Sequence, residues 1–326
     1  MSVRLKTLWI ACVAFIVGAV LGYTALDQKT APTGSVTGTG HERIVLITHG
    51  QAADPYWNIV RNGAAEAAAQ LGVDVEYRAP ETFDMIRMAE LIDSATNQHP
   101  AGLIVSIPDE SALGPAIRRA VQAGIPVVSI NSGTEVSAGL GALTHVGQDE
   151  YETGKRVGER LRTEGAHKVV CVHHEVGNTA LDARCKGVAD GFGGPVTVLP
   201  TSTEYQEVTA KVSAVLAGDR AIDAIVALNA SQVGEPAILA AQSASRPVKV
   251  ATFDTSPKFL QAIIDGKAAF AVDPQAYLQG YLSTVLVANF LRHGVMPANR
   301  LIESGPRFVT KDNAARILGL SGKTIQ

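Results

Sequence analysis

Aromatic residues make up only 5% of this 326-residue chain, and it has three cysteines. So few rings make the position of each one informative. The cysteines, Cys12, Cys171 and Cys185, form no Cys-x-x-Cys pair, which argues against a zinc ribbon and a thioredoxin-type redox centre. Cys12 lies in an N-terminal apolar run, so one pair at most can form within the folded body. Burial is the default for a free cysteine, and Cys171 and Cys185 are expected as two buried thiols, a disulfide being open to them if the chain is exported. The net charge is −3 and there is no basic face, so nucleic acid is not an expected partner. The chain also lacks GxSxG and HExxH. Ser321-Gly322-Lys323-Thr324 lacks the leading glycine of a phosphate-binding loop, and Gly139-Leu140-Gly141 lacks the third glycine of a dinucleotide site. His173 and His174 are strand neighbours that point to opposite faces, a poor arrangement for one metal. No catalytic residue, metal or cofactor is expected.

What is present begins at the N-terminus. Arg4 and Lys6 precede an uncharged stretch from Thr7 to Leu26, so residues 1–26 read as a signal peptide or membrane anchor that sends the body out of the cytoplasm. Val20 and Gly22 suit cleavage, whereas continuation of the run through Tyr23, Thr24 and Ala25 suits an anchor. Residues 27–41, rich in Thr, Gly and Ser, read as a flexible linker.

From Ile44 onward, apolar runs of strand length fall at 44–48, 73–77, 102–107, 126–130, 168–173, 196–199, 222–228, 248–253 and 268–272. Helical spacing separates them: Val60, Ala64, Ala67 and Leu71 share one face, as do Leu278, Leu282, Val285, Leu286 and Phe290. Gly72 and Gly124 are placed to close helices, and Asp149 to cap the one that follows it. Alternation of this kind builds α/β folds with parallel sheets. So many strands exceed one doubly wound sheet, and two lobes are expected, with a boundary near Gly147.

Polar and aromatic residues recur just beyond the strand ends, where open α/β sheets bind ligands. They are Tyr56 and Trp57, Asn131 and Ser132, His174 and Glu175 with Arg184 further on, Asn229, and Asp254. Taken singly, an Asn or Asp at such a place is more often a helix cap. Asp54-Pro55-Tyr56-Trp57, the run 127–131 ending in Asn131, Val146-Gly147-Gln148-Asp149, Gly177-Asn178 with Arg184, Ala227-Leu228-Asn229, Phe253-Asp254 and Tyr277-Leu278-Gln279-Gly280-Tyr281 make residues 44–310 resemble the type I periplasmic binding proteins of sugar ABC transporters, the ribose- and galactose-binding group.

That resemblance implies a lobe of residues 42–147 and 276–305, a second of 148–275 and 306–326, and a three-crossing hinge near 147, 275 and 305. It implies a monosaccharide or polyol held between Tyr56, Trp57 and Asn131 on one side and Arg184, Tyr205, Asn229 and Asp254 on the other. Pro274 stands where the family has a binding glutamine, so Asp273 or Gln275 is expected to substitute. Asn131 and Ser132 stand where ribose binders carry Asp and Arg, which argues against ribose itself. The implied partner is an ABC permease, the implied place the periplasm, and the N-terminal segment the link to the membrane. A sugar-sensing co-receptor for a membrane signalling protein is the alternative role. A repressor on the same frame would need a DNA-reading helix-turn-helix where the apolar run stands.

Overall fold

Successive residues of a strand point to opposite faces, and in β1 (Arg43–Ile47) that alternation separates two cores. Ile44 and Leu46 face one, Val45 and Ile47 the other. The same division recurs across the molecule. The structure, a computed structural model, describes residues 42–50 and 54–320. The apolar run and the linker read from the sequence lie outside those residues.

β1 is joined in a first sheet by β2 (Asp74–Arg78), β3 (Gly102–Ser106), β4 (Val127–Ile130) and β5 (His145–Gly147). A second sheet holds β6 (Val169–His173), β7 (Val196–Pro200), β8 (Ala224–Ala227), β9 (Lys249–Phe253) and β10 (Phe270–Asp273). The chain then returns to the first sheet with β11 (Leu301–Glu303) and goes back to the second with β12 (Arg307–Val309). The sheet orders are β11-β5-β4-β3-β1-β2 and β12-β10-β9-β8-β6-β7, one topology built twice. Every pairing is parallel except β10 with β12. The chain is therefore α/β with two parallel-sheet lobes, and passes between the sheets three times. The short strands β11 and β12 have no counterpart among the apolar runs read from the sequence, because three residues carry no periodicity.

The connecting helices are α1 (Pro55–Leu71), α2 (Met85–Asn97), α3 (Glu110–Gln122), α4 (Thr134–Ser137), α5 (Glu150–Thr163), α6 (Thr179–Phe192), α7 (Tyr205–Gly218), α8 (Glu235–Ser243), α9 (Pro257–Ile264), α10 (Ala276–His293) and α11 (Lys311–Leu318). Gly72 closes α1 in the left-handed conformation, and Asp149 accepts the Glu152 N–H to cap α5. Two helix pairs approach until their backbones meet. A Cβ on Gly280 of α10 would lie 1.9 Å from the Val60 carbonyl of α1, and one on Gly187 of α6 would lie 2.1 Å from the Tyr151 carbonyl of α5. Only glycine permits that approach.

Cys171 and Cys185 form a disulfide, with Cα atoms 5.9 Å apart, in place of the two thiols expected. Both are buried, so the default of burial holds, but β6 and α6 bring the pair within bonding distance. The link fastens α6 to the sheet one residue beyond Arg184.

Candidate functional site

Between the C-terminal strand ends of the two sheets lies a narrow cavity of about 30 Å³, lined by residues of both lobes. Lobe one supplies His49, Asp54, Tyr56, Trp57 and Asn131; lobe two supplies His174, Glu175, Asn178, Arg184, Asn229 and Asp254. Six of the eight residues that the resemblance assigns to the ligand thus meet: Tyr56, Trp57, Asn131, Arg184, Asn229 and Asp254. Tyr205 does not. It opens α7 with 45% of its surface exposed and is absent from the cavity lining. Gln275 stands at a crossing between the sheets, where its side chain donates to the Ser304 carbonyl, and it lines a different pocket together with Pro274 and Tyr277. Asp273 pairs with Arg307 rather than reaching the cavity.

Arg184 is the cation of the cavity, and it is largely committed. Its Nε and Nη2 donate to the two Glu150 carboxylate oxygens at 2.6 and 2.9 Å, and Nη1 donates to the Leu228 carbonyl at 3.3 Å. The guanidinium also lies 4.5 Å from the Phe253 ring centroid. Burial works against its charge, but Glu150 beside it raises the Arg184 pKa above its ordinary value. A two-point pair of this kind fixes the plane of the guanidinium. Glu150 was missed in the sequence because an acidic residue in the first turn of a helix reads as a dipole partner.

Asp254 has no such pairing. It follows β9 in a left-handed conformation, φ 67°, which Asp tolerates better than most side chains. It does not cap the helix behind it: Ser256 accepts the Phe259 N–H at the head of α9. No side chain among the described residues donates to its carboxylate. Burial pushes its pKa up to about 8, against the pull of Arg184. Asn229, by contrast, caps the turn after β8, its Oδ1 accepting from the Gln232 N–H and the Ser231 hydroxyl.

The aromatic side of the cavity is built by packing. Trp57 and Tyr56 meet edge to face, with centroids 5.0 Å apart. The Trp57 indole rests on Gly50, where a Cβ would lie 1.5 Å from Nε1. Tyr56 donates its hydroxyl proton to Gln279 at 3.1 Å and accepts from Asn131 at 2.8 Å, while Ser132 donates to the Asn131 oxygen at 3.0 Å. Tyr56 therefore offers the cavity its ring more than its hydroxyl. Both aromatics also belong to the core against β1, so core and cavity roles coexist.

Other carboxyl and imidazole groups share the lining. Asp54 caps α1 by accepting the Tyr56 N–H at 3.0 Å, and burial lifts its pKa to about 6. Burial also lifts Glu175 to about 7, despite a 2.8 Å bond from Asn178. Burial lowers His174 to about 3, with the neighbouring His173 adding to the effect, and its Nδ1 has no partner. The arrangement is a chamber with two aromatic side chains at one wall and many acceptors around it. Among the described residues no group of three His, Cys, Asp or Glu side chains is placed to hold a metal ion.

Known proteins share this frame. A family model of the periplasmic binding protein domain matches residues 44–294. A carbohydrate transporter from Acidothermus cellulolyticus 11B, solved with myo-inositol, is 34% identical at a TM-score of 0.84, over 88% of this chain and 100% of that one. An ABC sugar transporter (periplasmic sugar-binding protein) from Legionella pneumophila is 26% identical at a TM-score of 0.75, over 81% and 100%. The xylose/arabinose-binding protein XylF of Sulfolobus acidocaldarius is 24% identical over 289 residues, 83% of this chain and 71% of its own.

Proposed function

Since the chain belongs to the periplasmic binding protein family, we propose that it is an extracytoplasmic solute-binding protein. It captures a monosaccharide or polyol between its lobes and delivers it to an ABC permease. The observation that carries this reading is the cavity itself, with aromatic rings from one lobe opposite Arg184, Asn229 and Asp254 of the other. A sugar or cyclitol presents apolar C–H faces and a rim of hydroxyls. Rings cover the faces, while carboxylates and amides take up the hydroxyl protons. Excluding water strengthens each such bond and makes an unmatched one costly.

The lobes divide at about residues 147, 275 and 305, and the crossings there act as a hinge. Arg4 and Lys6 with the apolar run behind them export the body to the periplasm. No reaction is assigned to the cavity. Its groups hold and orient a ligand, and no nucleophile among them is paired with a base.

The test is a calorimetric titration of the purified protein with pentoses, hexoses and polyols, myo-inositol first because the 34%-identical relative was solved with it. Micromolar or tighter binding of one of them, with compaction in solution scattering, is the expected result. Heat from none of them, or turnover of one of them, would sink the reading.

A further inference from the structure

Two cavity residues that the resemblance did not supply face each other across the cleft. We infer that His49 of the first lobe and Glu175 of the second read one ligand hydroxyl together: the hydroxyl accepts from the imidazole and donates to the carboxyl. This rests on the sugar- and polyol-binding reading and adds a specificity-determining pair to it.

The tautomer of His49 follows from its surroundings. The Ser106 hydroxyl oxygen accepts the His49 backbone N–H at 3.0 Å and lies 2.8 Å from His49 Nδ1. Its single proton has no other acceptor among the described residues, so it goes to Nδ1. The ring proton then sits on Nε2. Burial keeps the ring neutral, lowering its pKa to about 3, with Arg184 adding to the effect.

Nε2 points at Glu175 Oε2 from 3.7 Å, beyond hydrogen-bond reach. Asn178 Nδ2 is 3.5 Å away, but it is a donor too, and it already donates to Glu175 Oε2 at 2.8 Å. The Asn178 oxygen is spent on the Ala180 N–H, which fixes the amide. Thus each lobe holds its own member of the pair rigidly, Ser106 fixing His49 and Asn178 fixing Glu175. Neither member satisfies the other. Among the described residues the Nε2–H has no acceptor within reach, and it stands beside a carboxyl oxygen that accepts from Asn178 and has a lone pair to spare, in a chamber lined by both lobes.

A hydroxyl accepts and donates at one atom, so it satisfies both. An ether or a deoxy carbon leaves the pair unmatched, and a ligand carboxylate or phosphate meets Glu175 as a like charge. The pair therefore selects a free hydroxyl on a neutral polyol at one ring position. Because its members come from opposite lobes, that hydroxyl is bound in full only when the cleft is closed.

The experiment titrates the full chain, then Glu175→Ala, Glu175→Gln and His49→Phe, with myo-inositol and its monodeoxy derivatives. If the panel yields a pentose or hexose instead, its own deoxy and O-methyl forms are used. In the parent, removal of one hydroxyl should weaken binding at least tenfold. In Glu175→Ala and His49→Phe the intact polyol should bind about tenfold more weakly, and the penalty at that one position should vanish while penalties elsewhere persist. Glu175→Gln keeps the side chain's shape and guards against misfolding; it should retain part of the penalty. Deoxy penalties that stay unchanged at every position in folded variants overturn this inference alone. A parent that binds no member of the panel overturns the sugar-binding reading and this inference with it.

Discussion

Asn131 and Asp254 occupy one position built twice. Each directly follows the third strand from the short edge of its sheet, and each turns the chain with a positive φ, 62° and 67°. Each backbone N–H donates to the next strand, Asn131 to Val146 at 3.1 Å and Asp254 to Val272 at 2.8 Å. The backbones agree and the side chains part company. Asn131 is tied to Tyr56 and Ser132, whereas no side chain among the described residues donates to Asp254.

From that difference, Asp254→Ala is expected to weaken polyol binding tenfold to a hundredfold above pH 8, where the carboxyl is ionised, through loss of a charge-assisted hydrogen bond of about 1.5–3 kcal/mol. Its melting temperature should change little, since Ser256 rather than Asp254 caps α9, and the strain of Ala at φ 67° is offset by removal of a buried, unpaired carboxyl. Calorimetric titration beside a thermal melt separates the two effects. A folded Asp254→Ala that binds like the parent contradicts the assignment.

The ligand-free protein should lose stability as the pH rises above neutrality. Asp54, Glu175 and Asp254 have folded pKa values of about 6, 7 and 8, raised by burial, so the folded chain keeps protons that the unfolded chain releases. Raising the pH through that range therefore favours unfolding. Buried His49, His145, His173 and His174 act in the opposite sense, but only below their ordinary value of 6.5. Glu175 is faced by His49, Asp54, Asn178 and Arg184, and Asp254 by Arg184, Asp54, Glu150 and Asp273. Between pH 6.5 and 8.5 the two most perturbed carboxyls act unopposed, worth about 2 kcal/mol, or several degrees of melting temperature. Scanning calorimetry should show that fall in the parent and a flatter profile in Asp254→Asn.

Reduction should loosen α6. A disulfide closing a loop of this size contributes roughly 3 kcal/mol, and the cysteines are 14 positions apart. Dithiothreitol, or the paired change Cys171→Ala with Cys185→Ala, should lower the melting temperature by several degrees. Ligand affinity should fall as well, because Arg184 precedes Cys185 on the same helix.

Crowding the α5–α6 contact should have a related effect by another route. Gly187→Ala pushes a methyl group toward the Tyr151 carbonyl and separates Arg184 from Glu150. A loss of about 1–3 kcal/mol is expected, with weaker binding in those molecules that fold. Gly218→Ala, whose Cβ would meet nothing within 4 Å, is the control and should melt like the parent.

The sequence made the architecture readable because long strands and helices carry their period over many residues. It was silent on β11 and β12, which place the last two crossings and are set by pairing with β5 and β10. Strand-end polarity located most of the cavity, since backbone geometry puts those side chains on one edge. Tyr205 shows where that logic stops: being aromatic near a strand end does not decide whether a side chain turns inward or out to solvent. His49 was passed over because the apolar run before it was bounded at Thr48. Glu175 was noted at its strand end but given no ligand role, because a loop glutamate has no local signature of burial. The Cys171–Cys185 link needed the distance between β6 and α6, which no spacing along the chain encodes.

Ser304 touches all three places where the chain changes sheets. Its N–H donates to the Gly147 carbonyl at 2.7 Å, and its hydroxyl to the Pro274 carbonyl at 2.7 Å. Gln279, which holds the Tyr56 hydroxyl, also contacts both Pro274 and Ser304. A single strap between two bodies lets them swivel, yaw and shear. Three straps laid side by side and stitched at the middle leave one easy motion, flexion about the line across them. The two halves should therefore open like a book with a stiff spine rather than like beads on a string, retracing on release the arc they followed on capture. A partner waiting outside would then meet forms that differ along one arc alone, without twisted ones.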